Sequence, residues 1–293
     1  MSVSAEQHGD ALTVECAADI HESGFREQHN DDPFMASAWN LRRVPTAPGS
    51  CLVHTPGAAA TPAMALGMLF STSNWHVQDA NLCALSYLHA GGSKTWYAVA
   101  AAHAEAFEAA LQDLVRAAAR AMARTGCKCT LARRPLHRGW VLSVSVQLLE
   151  RAGWSASAHM PRANGCACAQ VYPAAVAKMR AEGATADDIR CAVLRTIARR
   201  STACCPADLV AAGVPVAHCV QRPGEFVVTG ARVHCCTLSH AANVSELARF
   251  APRSWLEHGA DAMLRCAVLN TPPVRLCPAD ACSAAHCPGR CRS

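Results

Sequence analysis

The chain has 293 residues and a net charge of +5, with 51% hydrophobic and 17% charged residues. An ordinary domain has about 25% charged residues, so this composition excludes a disordered or highly charged tail protein. The longest apolar run, Ala58–Phe70, is shorter than the roughly 20 residues that a membrane-spanning helix requires. The N-terminus has neither a basic start nor an apolar stretch. We therefore expect a soluble intracellular protein with no membrane segment and no secretory signal.

The first hundred residues predict short extended segments separated by turns. The stretch Met64–Tyr97 is apolar and strand-like, with Gly91-Gly92 as a tight turn. The hydrophobic period changes from about Ala101, and an amphipathic helix is predicted to end near Gly126. The apolar positions that define this helix are Phe107, Leu111, Leu114, Ala118 and Met122.

The middle of the chain differs in character. Leu142–Leu148 alternates apolar and polar residues, which predicts one half-buried strand. A helix is predicted further on, capped at Thr185 with Asp188 three residues later.

A second β block is predicted over Val214–Val216 and Phe226–Thr229, with a turn at Pro223-Gly224 between them. A short helix is expected beyond Trp255, running to about Leu269. The basic residues form no run longer than two or three, so no nucleic-acid motif is evident.

Eighteen cysteines in an intracellular chain favour metal binding, redox chemistry or neutral packing over disulfides. The tail cysteines Cys277, Cys282, Cys287 and Cys291, together with His286, could hold one zinc ion, although none of them forms the C-x2-C pair of a zinc ribbon. The alternative for the tail is a disordered Cys-rich end. A zinc- or redox-active cysteine protein remains one hypothesis for the whole chain.

One group of residues has the pattern of a metal site. His76 and Gln78 lie in a predicted strand, where residues i and i+2 point to the same face. His234 follows the predicted strand Phe226–Thr229 and could supply a third ligand from a distant strand. This is the outline of a facial triad for non-haem Fe(II). The alternative is that each histidine is a hydrogen-bonded structural residue.

Four segments of the chain resemble the JmjC catalytic domain, most closely that of the JARID-type histone demethylases, which act on methylated lysine 4 of histone H3. These segments are LTVECAADIHESGF (12–25), SAWNLRRVPTAPGS (37–50), GMLFSTSNWHVQDANLCALSYLHAGGSKTWYAV (67–99) and GVPVAHCVQRPGEFVVTGARVH (213–234). The resemblance extends over about residues 12–115 and 203–268, in the family's order.

The resemblance implies a mainly β fold with flanking helices. Its core would be a double-stranded β-helix, the jelly roll of the cupins, carrying an α-rich insert. It also implies an Fe(II)- and 2-oxoglutarate-dependent dioxygenase that removes methyl groups from lysine on histone H3, releasing formaldehyde. The histone H3 tail and chromatin would be its partners, and the nucleus its location.

The resemblance divides the chain into four parts. Residues 1–124 and 201–269 would form the N-terminal and C-terminal parts of the JmjC domain. Residues 125–200 are an unmatched Cys/Ala-rich insert, and 270–293 are the Cys-rich tail. Unspliced sequence in the gene would produce such an insert and tail, and this alternative stays open.

Several residues match the family's site. His76 and His234 match its two ligand histidines, which are also its catalytic centre. Lys94 matches the lysine that pairs with the distal carboxylate of 2-oxoglutarate. Trp96 and Tyr87 match aromatic residues of the pocket wall.

Other positions depart from the family's pattern. Gln78 stands where the carboxylate ligand is expected, and a neutral amide should lower Fe(II) affinity substantially. In the cosubstrate pocket, Cys16 replaces a tyrosine, Ser73 an aromatic residue and Ser86 an asparagine. Ala65 replaces a tyrosine that helps to cradle methyl-lysine. These losses motivate the alternative of a catalytically impaired pseudo-demethylase that serves as a chromatin-binding module.

Overall fold

The computed structural model describes residues 13–25 (except 15), 37–52, 61–125 and 204–269, together with short pieces of 133–145 and single positions between 183 and 197. The strands, in chain order, are β1 Thr13–Val14, β2 Cys16–Ile20, β3 Ala63–Gly67, β4 Thr72–His76, β5 Cys83–Gly91, β6 Lys94–Val99, β7 Arg133–Leu136, β8 Gly139–Leu142, β9 Val144–Ser145, β10 Ala217–Gln221, β11 Phe226–Thr229, β12 His234–Ser239 and β13 Asn243–Phe250. The helices are α1 Ala104–Thr125, α2 Pro206–Ala211 and α3 Leu256–Leu269.

Two antiparallel sheets form the body of the fold. The larger has the strand order β11-β5-β13-β3-β2, and the smaller has the order β10-β6-β12-β4. Except for the pair β2 and β3, neighbouring strands in each sheet come from opposite sides of α1 in the chain. This is the strand arrangement of a jelly roll. The predicted mainly β fold with flanking helices is confirmed.

Helix α1 covers the outer face of the smaller sheet. Its residues Phe107 and Leu111 are buried against Trp75 of β4 and Val99 of β6. The rings of Trp75 and Phe107 lie 5.2 Å apart, and the Trp75 indole Nε1 donates a 2.9 Å hydrogen bond to the carbonyl oxygen of Cys204. This apolar layer fixes which side of each strand faces outward.

The outer face of the larger sheet is covered by the segment before β3. Leu41 and Val44 are buried there against Leu85 of β5 and Ala248 of β13. Phe25 packs on the same cluster. With both outer faces covered, the strand residues of opposite parity line the space between the two sheets.

Most predicted elements appear at their predicted positions. The helix expected from about Ala101 is α1, and the turn at Gly91 has the positive φ of +94° that glycine adopts readily. The Thr185 cap is present, because the Thr185 hydroxyl donates to Asp188 at 2.6 Å and accepts from the Asp188 amide at 3.2 Å. The strand Phe226–Thr229 has the bounds given by β11.

The strand expected at Val214–Val216 is wrong. Those residues are irregular, and β10 begins at Ala217 instead. Pro215 has no backbone N–H to donate to a sheet ladder, so the pairing with β6 starts only after it. Of Leu142–Leu148, residues 142, 144 and 145 lie in β8 and β9, and the remainder falls outside the described residues. The tail at 270–293 also falls outside them.

No helix among the described residues is long and apolar enough to cross a membrane.

Candidate functional site: the cup between the two sheets

The register of the strands shows which residues face the interior, here called the cup. Directly opposed residues in an antiparallel pair point to the same face. Trp75 faces outward, so the next residue, His76, faces the cup, and Cys235 is its partner on β12. Across β6 and β12, Lys94 opposes Ser239 and Trp96 opposes Thr237, both on the inner face.

Ser73 and Ser86 also face the cup, whereas the expectation that Tyr87 lies in the pocket wall is wrong, because Tyr87 packs on the outer cluster with Leu41 and Leu85. Ser73 opposes Thr237 on β12, and Ser86 opposes Leu247 on β13. Cys16 opposes Gly67 at the other end of the larger sheet. The structure therefore brings together six residues that the sequence singled out, namely Cys16, Ser73, His76, Ser86, Lys94 and Trp96.

Lys94 is half-buried on the inner face. Its ammonium donates a 3.0 Å hydrogen bond to the hydroxyl of Ser245 on β13. Burial lowers the pKa of Lys94 to about 8, and the Cys16 thiol opposes this shift. A half-buried cation held by a hydroxyl is suited to receive a carboxylate or another anion.

Trp96 and Ser86 are joined through one buried side chain. The Trp96 indole Nε1 donates to Gln221 Oε1 at 2.8 Å, and Gln221 Nε2 donates to the Ser86 carbonyl oxygen at 3.2 Å. Gln221 is fully buried at the end of β10, where it opposes Lys94. These hydrogen bonds between neutral groups fix the position of Trp96 in the wall of the cup.

His76 is buried, and both of its ring nitrogens have partners. Nδ1 lies 2.7 Å from the carbonyl oxygen of Asn74, so Nδ1 carries the proton and donates it there. Nε2 is therefore an acceptor, and it lies 3.3 Å from Gln78 Nε2. The thiol of Cys235 lies 3.9 Å from the same Nε2.

Gln78 lies just beyond the end of β4 rather than on the strand, yet its side chain still reaches His76. It is 3% exposed. Its Oε1 accepts a 3.3 Å hydrogen bond from Nε of Arg249, a buried residue of β13. Because a guanidinium can only donate, it fixes the amide with the oxygen towards Arg249 and the NH2 group towards His76. Arg249 also lies 3.8 Å from the carboxylate of Asp79.

His234 faces away from the cup. It opposes Val99, an outward residue, and its ring stacks on Phe107 of α1 with 4.6 Å between the centroids. Its Nε2 lies 3.8 Å from the Glu108 carboxylate. The expectation that His234 joins His76 at one metal therefore disagrees with the structure. The physical reason is register, since Cys235 occupies the inward position opposite His76 and adjacent strand residues face opposite sides.

The outward position determines the protonation state of His234. Burial and the positive charges of Arg265 and Arg232 lower its pKa to about 3. Its Nδ1 is buried without a hydrogen-bond partner. His234 is thus a neutral, packed ring at physiological pH.

The residues present do not fit the iron site that the resemblance implies. Such a site needs His76, the residue at position 78 and His234 to direct their donor atoms at one point. His76 Nε2 accepts from the Gln78 amide, Gln78 Oε1 accepts from Arg249, and His234 lies on the opposite face of the sheet. Within the part of the chain that the structure describes, no group of three or more His, Cys, Asp or Glu could hold a metal ion. The tail cysteines fall outside that part.

Sequence reasoning missed four residues that complete the cup: Cys235, Arg249, Gln221 and Ser245. One signal was available for Arg249. Ala248 and Phe250 pack on the outer cluster, which leaves the charged Arg249 between them on the inward side of a buried strand.

Comparison with known proteins places this fold in a recognised group. Residues 63–127, which carry β3 to β6 and α1, match the family described as "JmjC domain, hydroxylase". The chain is 29% identical over 241 residues to lysine-specific demethylase JMJ705 of Oryza sativa subsp. japonica, covering 81% of this chain and 14% of that protein. It is 30% identical over 241 residues to the probable lysine-specific demethylase SE14 of the same plant, covering 81% of this chain and 12% of the relative.

A third relative carries a different description. The probable inactive lysine-specific demethylase JMJ19 of Arabidopsis thaliana is 24% identical over 225 residues, which are 76% of this chain and 22% of that protein. The chain spans about an eighth of the length of the two rice relatives. The chain therefore carries a jelly roll of which residues 63–127 match the JmjC domain, and it is similar to proteins described as lysine-specific demethylases.

Proposed function

We propose that this chain is a JmjC domain of lysine-demethylase descent that binds the histone H3 tail in chromatin without oxidising it. The similarity to lysine-specific demethylases over four-fifths of the chain supports the histone tail as the ligand. The nucleus is the location that follows from such a ligand.

One observation supports the proposal that the chain does not oxidise the histone tail. JmjC chemistry uses Fe(II) and 2-oxoglutarate, and the iron needs the Nε2 lone pair of His76. In this chain, that lone pair accepts a hydrogen bond from the Gln78 amide, which Arg249 holds in place. All three side chains are buried, so water does not readily compete for these contacts.

Two assays on the full chain test the proposal. Fluorescence anisotropy with histone H3 tail peptides measures binding, and formaldehyde release in the presence of Fe(II), ascorbate and 2-oxoglutarate measures oxidation. We expect the H3 peptide to bind more tightly than a scrambled peptide of equal charge. We also expect formaldehyde release no greater than that of His76→Ala.

Either assay can contradict the proposal. Formaldehyde release clearly above the His76→Ala level would establish a working oxygenase. Equal affinity for the H3 peptide and the scrambled peptide would exclude specific histone binding.

Oxidative demethylation is the second candidate, and Lys94 favours it. Lys94 faces the cup beside Ser245 and Cys16, as expected of a residue that pairs with a dicarboxylate. The matched family is described as a hydroxylase. If this candidate holds, Lys94→Met will abolish formaldehyde release, because the cosubstrate loses its charged partner.

A further question within the proposal is which lysine of histone H3 the cup recognises. The JARID-type resemblance points to lysine 4, whereas the names of the relatives state no position. Ala65 opposes Ser245 on the inner face and offers no aromatic ring to a methylammonium group. We therefore expect H3 peptides methylated at lysine 4 to bind about as tightly as unmodified ones.

A further inference from the structure

Three hydrogen bonds in the cup form a continuous series from Arg249 to the backbone of β4. Arg249 Nε donates to Gln78 Oε1, Gln78 Nε2 donates to His76 Nε2, and His76 Nδ1 donates to the Asn74 carbonyl oxygen. Each donor meets an acceptor, so the Gln78 amide and the His76 ring each have only one orientation compatible with their neighbours. The last acceptor of the series, the Asn74 carbonyl oxygen, thus belongs to the backbone of β4.

The donor atoms of His76 and Gln78 that would face a divalent cation are both engaged in these hydrogen bonds. The His76 lone pair faces an N–H group, and the Gln78 oxygen faces a guanidinium. Arg249 also lies 3.8 Å from Asp79, the only carboxylate next to Gln78 in sequence. Arg249 therefore places a fixed positive charge beside Gln78 and His76, where a metal ion would otherwise bind.

We propose that Arg249 takes the place of the metal in this domain: its guanidinium orders Gln78 and His76 as a bound ion would, and it keeps divalent cations out of the cup. This inference concerns metal exclusion alone. It agrees with the proposed function but is tested without any peptide.

The proposal separates two possible reasons why metal would not bind. If the missing carboxylate at position 78 were the only reason, then Gln78→Glu would be sufficient to create a site. If Arg249 is the obstacle, the new carboxylate will form an ion pair with Arg249, and the site will stay closed until that charge is removed.

Cobalt(II) alone is the probe, because it accepts nitrogen, oxygen and sulfur ligands. His76, Cys235 and a carboxylate at position 78 would then supply one donor of each kind. We expect Gln78→Glu to bind Co²⁺ no better than the native chain by calorimetry or visible absorption, and any binding by the tail cysteines is common to all variants and cancels in this comparison. The double variant Gln78→Glu/Arg249→Asn should bind Co²⁺ about 10- to 100-fold more tightly than Gln78→Glu alone.

A charge-retaining double variant is the matched control. Gln78→Glu/Arg249→Lys keeps a cation at position 249 and should bind Co²⁺ no better than Gln78→Glu. Thermal unfolding checks that each variant folds.

Two results would overturn the proposal. One is Co²⁺ binding by Gln78→Glu as tight as that of the Arg249→Asn double variant. The other is a folded Gln78→Glu/Arg249→Asn variant that binds Co²⁺ no better than Gln78→Glu. A chain that fails to bind the H3 peptide but shows the expected Co²⁺ pattern would remove the proposed function and leave this inference intact.

Discussion

His234 illustrates at the scale of one residue how burial controls stability. Folding keeps its imidazole neutral, with a pKa of about 3, whereas an unfolded histidine takes up a proton near pH 6.5. Between these two values the unfolded state binds more protons than the folded state. Stability should therefore decline as the pH falls from 6.5 towards 3, by up to about 1.4 kcal/mol per pH unit from this group.

The variant His234→Phe should remove this contribution while retaining the stack on Phe107. Urea unfolding at a series of pH values checks the expectation. The two proteins should differ little in the pH dependence of stability above pH 6.5, and the variant should lose stability less steeply below it. Substitution of the exposed His103 by alanine is the control. Parallel curves for the native chain and His234→Phe would show that His234 takes up protons in the folded state.

At the scale of one element, Glu246 of β13 anchors the segment that follows β2. Its buried carboxylate accepts hydrogen bonds from the Ser23 hydroxyl and from the Gly24 amide, the latter at 2.9 Å. His89 Nε2 lies 2.7 Å from the same carboxylate. Together these contacts attach a segment outside the sheet to its central strand.

Glu246→Gln should loosen this segment, because the amide replaces one acceptor oxygen with a donor that faces other donors. We expect a loss of about 1–3 kcal/mol in unfolding free energy. Hydrogen exchange at the Gly24 amide should accelerate. Glu225→Gln, at a partly exposed carboxylate paired with Arg222, is the control and should change stability by less than about 1 kcal/mol. Unchanged protection of Gly24 would disprove the anchoring role.

At the scale of the whole molecule, one ion pair joins two helices that are far apart in sequence. Arg265 of α3 forms a two-point contact with Glu108 of α1, and the Glu108 side chain is 3% exposed. Asp261 lies 3.3 Å from Arg265 Nε, one helical turn earlier. The pair links the helix on the smaller sheet to the C-terminal helix.

Arg265→Met should destabilise the fold by about 3–5 kcal/mol, because it leaves the Glu108 carboxylate buried without a cation. The double variant Glu108→Gln/Arg265→Met should recover most of that loss. Denaturant unfolding of both single variants and the double variant gives the coupling energy. If the two single losses simply add, the pair does not act as a unit.

The sequence predicted the elements of this fold more completely than the contacts of the cup. Periodicity was sufficient for α1 and β11, and Lys94 and Trp96, which the JmjC resemblance singled out, lie on the inner face of β6. The sequence analysis placed His234 on the wrong face of its strand, because a shift of one residue in register exchanges the two faces. The sequence analysis did not identify Arg249, because its partner Gln78 lies 171 residues away and the pairing is visible only after both sheets are assembled.

The contact between Arg249 and Gln78 also bears on the evolutionary history of such a domain. A carboxylate introduced at position 78 would lie beside a guanidinium, so we expect this single change to form an ion pair and to create no metal site. A site with two histidines and one carboxylate would also need Arg249 to be replaced and a histidine at the inward position that Cys235 holds. Because the first of these three changes brings no catalytic benefit by itself, the contact between Arg249 and Gln78 lengthens any stepwise route to oxygenase chemistry.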